Sequence, residues 1–222
     1  MASNRLTELQ LAVLRALADI RPQYTLVGGA ALAGFHLGHR ETRDLDLFWR
    51  GRDRLGDLTA LVERELAAAG FEIQRLQSAP AFSRLRVARS DEVVVVDLAA
   101  EPGEAVHPDA EADLGGVQIL VASAQEILAD KLCSLLGRAE IRDLQDVIAL
   151  LAAGRDLRLA LRDAPRKDGG FSPLTLAWVL RGLDVLRLAR LAGLDGEAAQ
   201  RLVEERDRLV ASLLEETRPR GA

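Results

Sequence analysis

Residues 24–50 carry the pattern that most restricts the fold of this chain: a short apolar strand, a double glycine, a helix of small residues and a second strand of alternating acidic and apolar residues. In that second strand, alternation places Asp44 and Asp46 on one face and the leucines that follow each of them on the other. Two residues of extended chain span about 6.6 Å, so the two carboxylates share a face at close range. Like charges at that range either raise each other's pKa or need a cation between them, and carboxylate oxygens are ligands that magnesium prefers.

The double glycine before the helix adds a second element to this candidate site. Gly28 and Gly29 have no side chains, so the backbone there can approach a ligand closely, and the following helix offers its N-terminus to an anion. A phosphate-holding turn together with a metal-holding carboxylate pair is what phosphoryl or nucleotidyl transfer requires. Taken singly, a Gly-Gly pair is most often a tight turn and an Asp-x-Asp strand a solvated face. Their order within one stretch favours the catalytic interpretation.

A third carboxylate follows a strongly apolar strand. The run Val93–Val96 predicts a strand buried on both faces, and it ends in Asp97. A carboxylate in that position is either a solvated strand terminus or a site residue. Arg84 and Arg86 share a face of the preceding strand, where they are placed either to meet phosphates or to form salt bridges with surface carboxylates.

A charged motif on a later helix is the second informative pattern. Lys131 and Arg138 are seven residues apart, and they lie on one helix face if the helix continues past the glycine between them. Asp143 and Asp146 follow within eight residues. Arg142 and Asp146 are four apart, a spacing that also suits a surface ion pair worth about 0.3–0.5 kcal/mol. The spacing alone leaves both interpretations open.

The rest of the chain alternates helical and strand periodicity and then becomes helical, which predicts an α/β (α+β) fold with a short mixed sheet flanked by helices and a helical C-terminal part. We divide it at residues 1–153 and 154–222. Helices are predicted at 5–20 (capped by Ser3 or Thr7), from the double glycine to about 37, at 55–69, from 124 onward, at 173–192 and at 196–216. Strands are predicted at 71–76, 82–88, 92–98 and 117–121, and a loop at 101–114.

Composition limits the class of protein. Hydrophobic residues make up 49% of the 222, which is typical of a globular protein. The net charge of −5 argues against a whole-surface nucleic-acid binder, although it leaves room for a local basic patch. The sequence has no apolar run near the roughly 20 residues that span a bilayer and no signal peptide, and its single cysteine, Cys133, fits a reducing compartment. These features predict a cytoplasmic protein without a membrane partner.

Two of these motifs resemble a known family. The run LVGGAAL, followed by Arg40-x-Thr42-x-Asp44-Leu45-Asp46, resembles the nucleotidyltransferases of the DNA polymerase β-like superfamily, and in its fuller form the AbiEii/AbiGii branch. The spacing from Lys131 to Asp146 is similar to the helical motif that this branch carries after its strands. The resemblance covers roughly residues 20–152 and implies the nucleotidyltransferase fold.

The resemblance also implies roles for individual residues. Asp44, Asp46 and Asp97 would be catalytic residues that hold Mg²⁺, and Lys131 would be a catalytic residue that neutralises charge as pyrophosphate leaves. The implied nucleotide-binding set is Gly28, Gly29, Thr42, Lys131, Arg138, Asp143 and Asp146.

The activity that the resemblance implies is metal-dependent transfer of a nucleoside monophosphate from a nucleoside triphosphate to a cellular acceptor, with RNA such as transfer RNA favoured. Members of the branch include toxins of two-gene toxin–antitoxin systems, so the expected role is that of a type IV toxin with a cognate antitoxin as partner. One alternative is a small-molecule nucleotidyltransferase of the aminoglycoside-modifying type. Another is a non-catalytic nucleotide-binding module, against which the intact Asp44, Asp46 and Lys131 argue.

Overall fold

The computed structural model describes residues 5–217. Its backbone divides into two compact units, with the division between Ala124 and Gln125. The helices of residues 125–152 therefore pack with the second unit, whereas the sequence analysis grouped them with the strands. The predicted division into a catalytic domain (1–153) and a helical extension (154–222) concerns function. Packing does not test it, so it stays a prediction.

One mixed sheet organises the first unit. Its strands are β1 (Thr25–Val27), β2 (Asp44–Arg50), β3 (Glu72–Ala79), β4 (Phe82–Arg89), β5 (Glu92–Glu101), β6 (Ala110–Asp113) and β7 (Gln118–Val121). Within the described residues these seven strands have the order β3-β4-β5-β2-β1-β7-β6. The pairs β1–β7 and β2–β5 are parallel and the other pairs are antiparallel. The predicted α/β class with a mixed sheet and flanking helices is confirmed.

The alternation predicted for β2 positions both the core and the candidate site. Leu45, Leu47 and Trp49 are almost completely buried, and burial of each leucine contributes about 1.5–3 kcal/mol. Asp44 and Asp46, which alternate with the leucines, are half-buried on the opposite face. Helix α1 (Glu8–Ala16) contacts β5, and helix α3 (Leu58–Ala68) contacts β3. One face of the sheet is therefore core, and the other is open to a ligand.

The start of α1 is fixed by a reciprocal cap. The Thr7 hydroxyl accepts a hydrogen bond from the backbone N–H of Gln10, and the Gln10 side chain accepts one from the backbone N–H of Thr7. The predicted cap at Thr7 is confirmed, and the alternative, Ser3, lies outside the described residues. The buried Gln10 side chain also donates to the carbonyl of Thr42 at 3.1 Å. The first helix thereby holds the loop that leads into β2.

Two strand predictions need correction. The strand β6 lies inside the predicted loop 101–114; its sequence lacks β-branched and aromatic residues, and it forms at the sheet edge because β7 supplies backbone partners. The prediction that β5 is buried on both faces is also wrong. Val94 and Val96 are buried, but Val93 is 49% exposed because it shares its face with Asp97, on the open side of the sheet.

The second unit is helical. Its helices are α4 (Ala124–Arg138), α5 (Ile141–Ala152), α6 (Leu157–Lys167), α7 (Pro173–Gly182), α8 (Val185–Leu191) and α9 (Gly196–Glu216). The remaining short helix, α2 (Gly28–Ala31), belongs to the first unit. The single helix predicted at 173–192 breaks in two, because the Asp184 side chain accepts a hydrogen bond from the N–H of Arg187 and caps a new helix. Across residues 5–217, none of the helices has the length and apolar character required to cross a bilayer.

Candidate active site

The parallel pairing of β2 with β5 brings the three predicted carboxylates to one face of the sheet. In the register of this pair, Asp46 lies opposite Asp97. Asp44 is two residues earlier on β2, hence on the same face. Asp97 is buried, and the other two are half-buried. The structure thus places Asp97 among the site carboxylates, while its role as a metal ligand stays a prediction.

The glycine turn lies directly against one of these carboxylates. Gly28 follows β1 with a φ of +65°, a conformation that residues with a Cβ rarely adopt. A Cβ built on Gly28 would lie 2.4 Å from Oδ2 of Asp46, closer than any real contact. The helix that follows is a short α-helical segment, α2 (Gly28–Ala31), continued by a π-helical turn at Leu32–His36. Glycine is therefore required here for the Asp46 carboxylate to approach the turn.

Thr42 orients the other β2 carboxylate. Its buried hydroxyl donates to Oδ1 of Asp44 at 2.9 Å. A Cβ on Gly29 would lie 3.1 Å both from this hydroxyl and from Nη2 of Arg40, so the second glycine leaves room for the same loop. A hydroxyl has one hydrogen to donate, and here Asp44 receives it. The predicted contact of Thr42 with phosphate stays a prediction.

Arg84 binds Asp97 through both nitrogens of its fork. Nε donates to Oδ1 at 2.7 Å, and Nη2 donates to Oδ2 at 2.6 Å. The hydrogen bond to Asp97 raises the pKa of Arg84, partial burial opposes this, and the charges of Asp97, Asp44 and Asp46 add to the increase. The sequence left open a phosphate contact or a surface ion pair for Arg84. The ion pair forms, but its partner is a site carboxylate.

The donor set can be compared with the needs of a divalent metal. Asp44 and Asp46 supply carboxylate oxygens on one face of β2, and oxygen ligands of this kind fit a hard cation such as Mg²⁺. The Asp46 carboxylate itself fills the space that a Cβ of Gly28 would need. Within residues 5–217, no group of three or more His, Cys, Asp or Glu side chains is arranged to hold a metal ion. At Asp97, both carboxylate oxygens accept hydrogen bonds from Arg84.

The charged motif of the second unit forms one compact ionic cluster. Nζ of Lys131 lies 2.7 Å from Oδ1 of Asp143 and 2.8 Å from Oδ2 of Asp146. Arg138 donates to both oxygens of Asp143, at 2.8 and 3.1 Å. Asp146 is completely buried, so its interpretation as the partner of Arg142 in a surface ion pair is wrong. The four predicted residues are thus brought together, with one another as partners.

The cluster stabilises the charged forms of Lys131 and Asp143. Burial lowers the pKa of Lys131, but the charges of Asp146 and Asp143 and their hydrogen bonds more than offset this, so the net pKa lies above its ordinary value. Burial likewise raises the pKa of Asp143, while the hydrogen bond from Arg138 and the charge of Lys131 bring it below its ordinary value. An ammonium group has three N–H donors, and the two carboxylates use two of them. The predicted nucleotide-binding role of the cluster stays a prediction.

Two contacts were not predictable from sequence motifs. Gln10 anchors the loop at Thr42 from a helix that carries no site pattern, and only the fold brings the two together. The pairing of Arg84 with Asp97 follows from the register of β4 with β5. The sequence predicted β4 and β5 as strands, but it did not predict the register that pairs Arg84 with Asp97.

A family model matches most of the chain. It describes the nucleotidyl transferase AbiEii toxin of type IV toxin–antitoxin systems, and it matches residues 12–216. Among curated proteins, none matches the chain significantly.

Three solved structures from two bacteria have a similar fold. MenT4, a nucleotidyltransferase toxin from Mycobacterium tuberculosis H37Rv, is 18% identical over 92% of this chain and 91% of its own, with a TM-score of 0.58. A candidate nucleotidyltransferase from H. pylori is 22% identical over 96% of this chain and 100% of its own, with a TM-score of 0.56. JHP933 from Helicobacter pylori is 21% identical over 96% of each chain, with a TM-score of 0.54. At these identities the likeness concerns the fold, and it confirms the nucleotidyltransferase fold predicted from the sequence.

Proposed function

Because the chain belongs to the AbiEii family of nucleotidyl transferase toxins of type IV toxin–antitoxin systems, we propose that it transfers a nucleoside monophosphate from a nucleoside triphosphate to RNA, with transfer RNA as the favoured acceptor. Membership confirms the resemblance and makes the chain a nucleotidyltransferase; metal dependence and the acceptor are the proposed parts. The observation that carries the proposal is the contact between the glycine turn and the β2 carboxylates. There Gly28 permits backbone and Asp46 to approach each other closely.

The residues of this face have distinct proposed tasks. Gly28 and Gly29 give the triphosphate a surface of backbone without side chains. Thr42 holds the Asp44 carboxylate in one orientation, so that its free oxygen stays directed along the open face. Asp44 and Asp46 would hold Mg²⁺, which when bound supplies charge neutralisation on the phosphates and a more acidic attacking hydroxyl. Lys131 belongs to the second unit, and its proposed role as a phosphate ligand rests on the family motif and on the ion pairs that favour its charged form.

The acceptor is proposed from the family and not from the charge of this face. Arg84 and Arg86 lie on β4 on the same face as the three aspartates, and Arg84 is paired with Asp97. Two guanidinium groups beside three carboxylates do not distinguish an anionic acceptor from a polycationic drug. RNA is the favoured acceptor because the resemblance to the toxins of this family implies it, and an aminoglycoside is the alternative.

The proposed reaction also defines partners and place. A type IV system pairs its toxin with an antitoxin, so a cognate antitoxin is a proposed partner alongside the nucleoside triphosphate. Both the triphosphate and transfer RNA are cytoplasmic molecules. We therefore place the reaction in the cytoplasm.

The first prediction tests the acceptor directly. The purified protein is incubated with each of the four α-³²P-labelled nucleoside triphosphates and Mg²⁺, together with either total transfer RNA or a panel of aminoglycosides. We expect label on RNA from at least one nucleotide, and none after addition of EDTA. Label on an aminoglycoside alone would replace RNA by the small-molecule alternative. Label that persists in EDTA would contradict metal dependence.

A second prediction concerns the glycine turn. We expect Gly28→Ala to lower the free energy of unfolding by about 1–2 kcal/mol, the cost of a left-handed conformation, and also to reduce transfer strongly. The second effect arises because the new methyl group collides with Oδ2 of Asp46. Thermal melting and the transfer assay measure the two effects separately.

Gly70→Ala is the matched control for this prediction. Gly70 has a φ of +83°, but a Cβ there meets nothing within 4 Å. Both variants therefore carry comparable backbone strain, and only the first disturbs a carboxylate. Equal activities of the two variants would show that the contact with Asp46 is irrelevant to transfer.

A further inference from the structure

A cross-strand row of charged residues runs through the candidate site. In β4 and β5 Arg84 lies opposite Asp97, and in β5 and β2 Asp97 lies opposite Asp46. Arg84 is the cation of this row, and it occupies both oxygens of the central carboxylate. The row therefore already contains a positive charge at the position where the third carboxylate would join a metal.

The two partners of this ion pair differ in freedom. The Arg84 side chain is 45% exposed, whereas that of Asp97 is 10% exposed. Arginine also has the longer and more flexible side chain. If the pair separates, the guanidinium is the partner that can move into solvent or toward a ligand, while Asp97 remains on the sheet.

We propose that Arg84 is an exchangeable counter-cation that keeps Asp97 out of the metal site until the phosphates of a nucleotide draw the guanidinium away. This inference rests on the proposed metal-dependent transfer. Phosphate oxygens offer the same two-point geometry as a carboxylate, so a bound triphosphate is an alternative partner for the fork of Arg84. Once Arg84 moves, Asp97 has two oxygens free beside Asp46.

The exchange couples metal binding to nucleotide binding. Without nucleotide, Arg84 repels a divalent cation and competes with it for Asp97, so the metal binds weakly to Asp44 and Asp46. With nucleotide, that opposition is removed. Because coupling between two ligands is reciprocal, the metal strengthens nucleotide binding by the same factor. The exchange of Arg84 between Asp97 and the phosphates therefore favours binding of the metal together with the triphosphate over binding of the metal alone.

Arg84→Met removes the guanidinium and separates this role from a purely structural one. We expect the Kd of Mn²⁺ alone, measured by isothermal titration calorimetry, to fall about tenfold because a nearby positive charge is lost. We expect the Kd of an α,β-methylene nucleoside triphosphate, measured in excess Mn²⁺ for each of the four bases, to rise about fivefold because a phosphate contact is lost. A merely damaged fold would weaken both ligands.

Two further variants complete the test. Arg75→Met is the matched control, since Arg75 on β3 also donates to a carboxylate through Nε and Nη2, that of Glu63 at 2.8 and 2.6 Å, but lies opposite Leu85, on the face of the sheet that carries none of the three aspartates; both Kd values should stay within about twofold of the wild type. Arg84→Lys keeps the charge without the fork, so it should give a Mn²⁺ Kd between those of the wild type and Arg84→Met. This variant also serves if Arg84→Met does not fold.

Distinct outcomes decide the inference and the proposed function. Unchanged Mn²⁺ affinity in both Arg84 variants would overturn the inference even if the wild type transfers nucleotides. Tighter Mn²⁺ binding by Arg84→Met than by Arg75→Met supports it. Absence of transfer with all four labelled triphosphates would count against the proposed function without changing this comparison.

Discussion

Asp46→Asn is expected to lower nucleotide transfer by on the order of a thousandfold, because it removes a carboxylate that would hold the metal against the glycine turn. The metal-free protein should melt at the same temperature as the wild type or slightly higher, since one of three neighbouring negative charges is lost. The side chain keeps its shape, so the packing of Gly28 against it is retained. Transfer assays and thermal melting on the same preparations measure both effects.

Asp91→Asn is the matched control for this substitution. Asp91 lies exposed in the turn between β4 and β5, so the same change there should leave transfer unaffected.

In cells, expression of the wild type should slow growth and Asp46→Asn should not, at equal protein levels. Equal slowing by both would indicate a burden of expression, and wild-type turnover by the Asp46 variant would reject the metal-holding role.

The face of the sheet that carries the site was predictable because strand periodicity is local. Alternation in β2 requires only the residues of that strand, and it correctly separated Asp44 and Asp46 from the buried Leu45 and Leu47. The position of Asp97 at the end of an apolar run was likewise a local signal. Its register opposite Asp46 was not, because parallel pairing depends on which strands the whole fold makes neighbours.

The contact partners of the site residues were harder to predict than their positions on helices and strands. The sequence placed Lys131, Arg138, Asp143 and Asp146 on one helix, but the structure divides them between α4, which ends at Arg138, and α5, which begins at Ile141. Spacing along one helix does not give the contacts between two helices. The i,i+4 spacing left open a surface ion pair of Asp146 with Arg142, but Asp146 is buried and pairs with Lys131 of the preceding helix. The edge strand β6 was missed for a related reason, since its residues have little strand propensity of their own.

Lys131→Ala is expected to destabilise the protein by about 3–5 kcal/mol, the cost of leaving buried carboxylates without their partner. Asp146 is completely buried and has Nζ of Lys131 at 2.8 Å. Asp143 keeps its hydrogen bonds from Arg138, whereas Asp146 loses its ion pair with Nζ of Lys131. Denaturant unfolding measures this loss. The variant should also lose transfer, but that loss alone does not distinguish a phosphate ligand from a structural residue.

A charge-balanced double variant distinguishes a phosphate ligand from a structural residue at Lys131. Lys131→Met with Asp146→Asn removes one buried charge of each sign and leaves the pair of Arg138 and Asp143 intact, so most of the lost stability should return. Asp146→Asn alone keeps Lys131 held by Asp143 and serves as the control. If the control transfers nucleotides and the stable double variant does not, Lys131 acts on the phosphates. If the double variant also transfers, the cluster serves only to hold α4 against α5, and the phosphate role implied by the family motif is rejected for this chain.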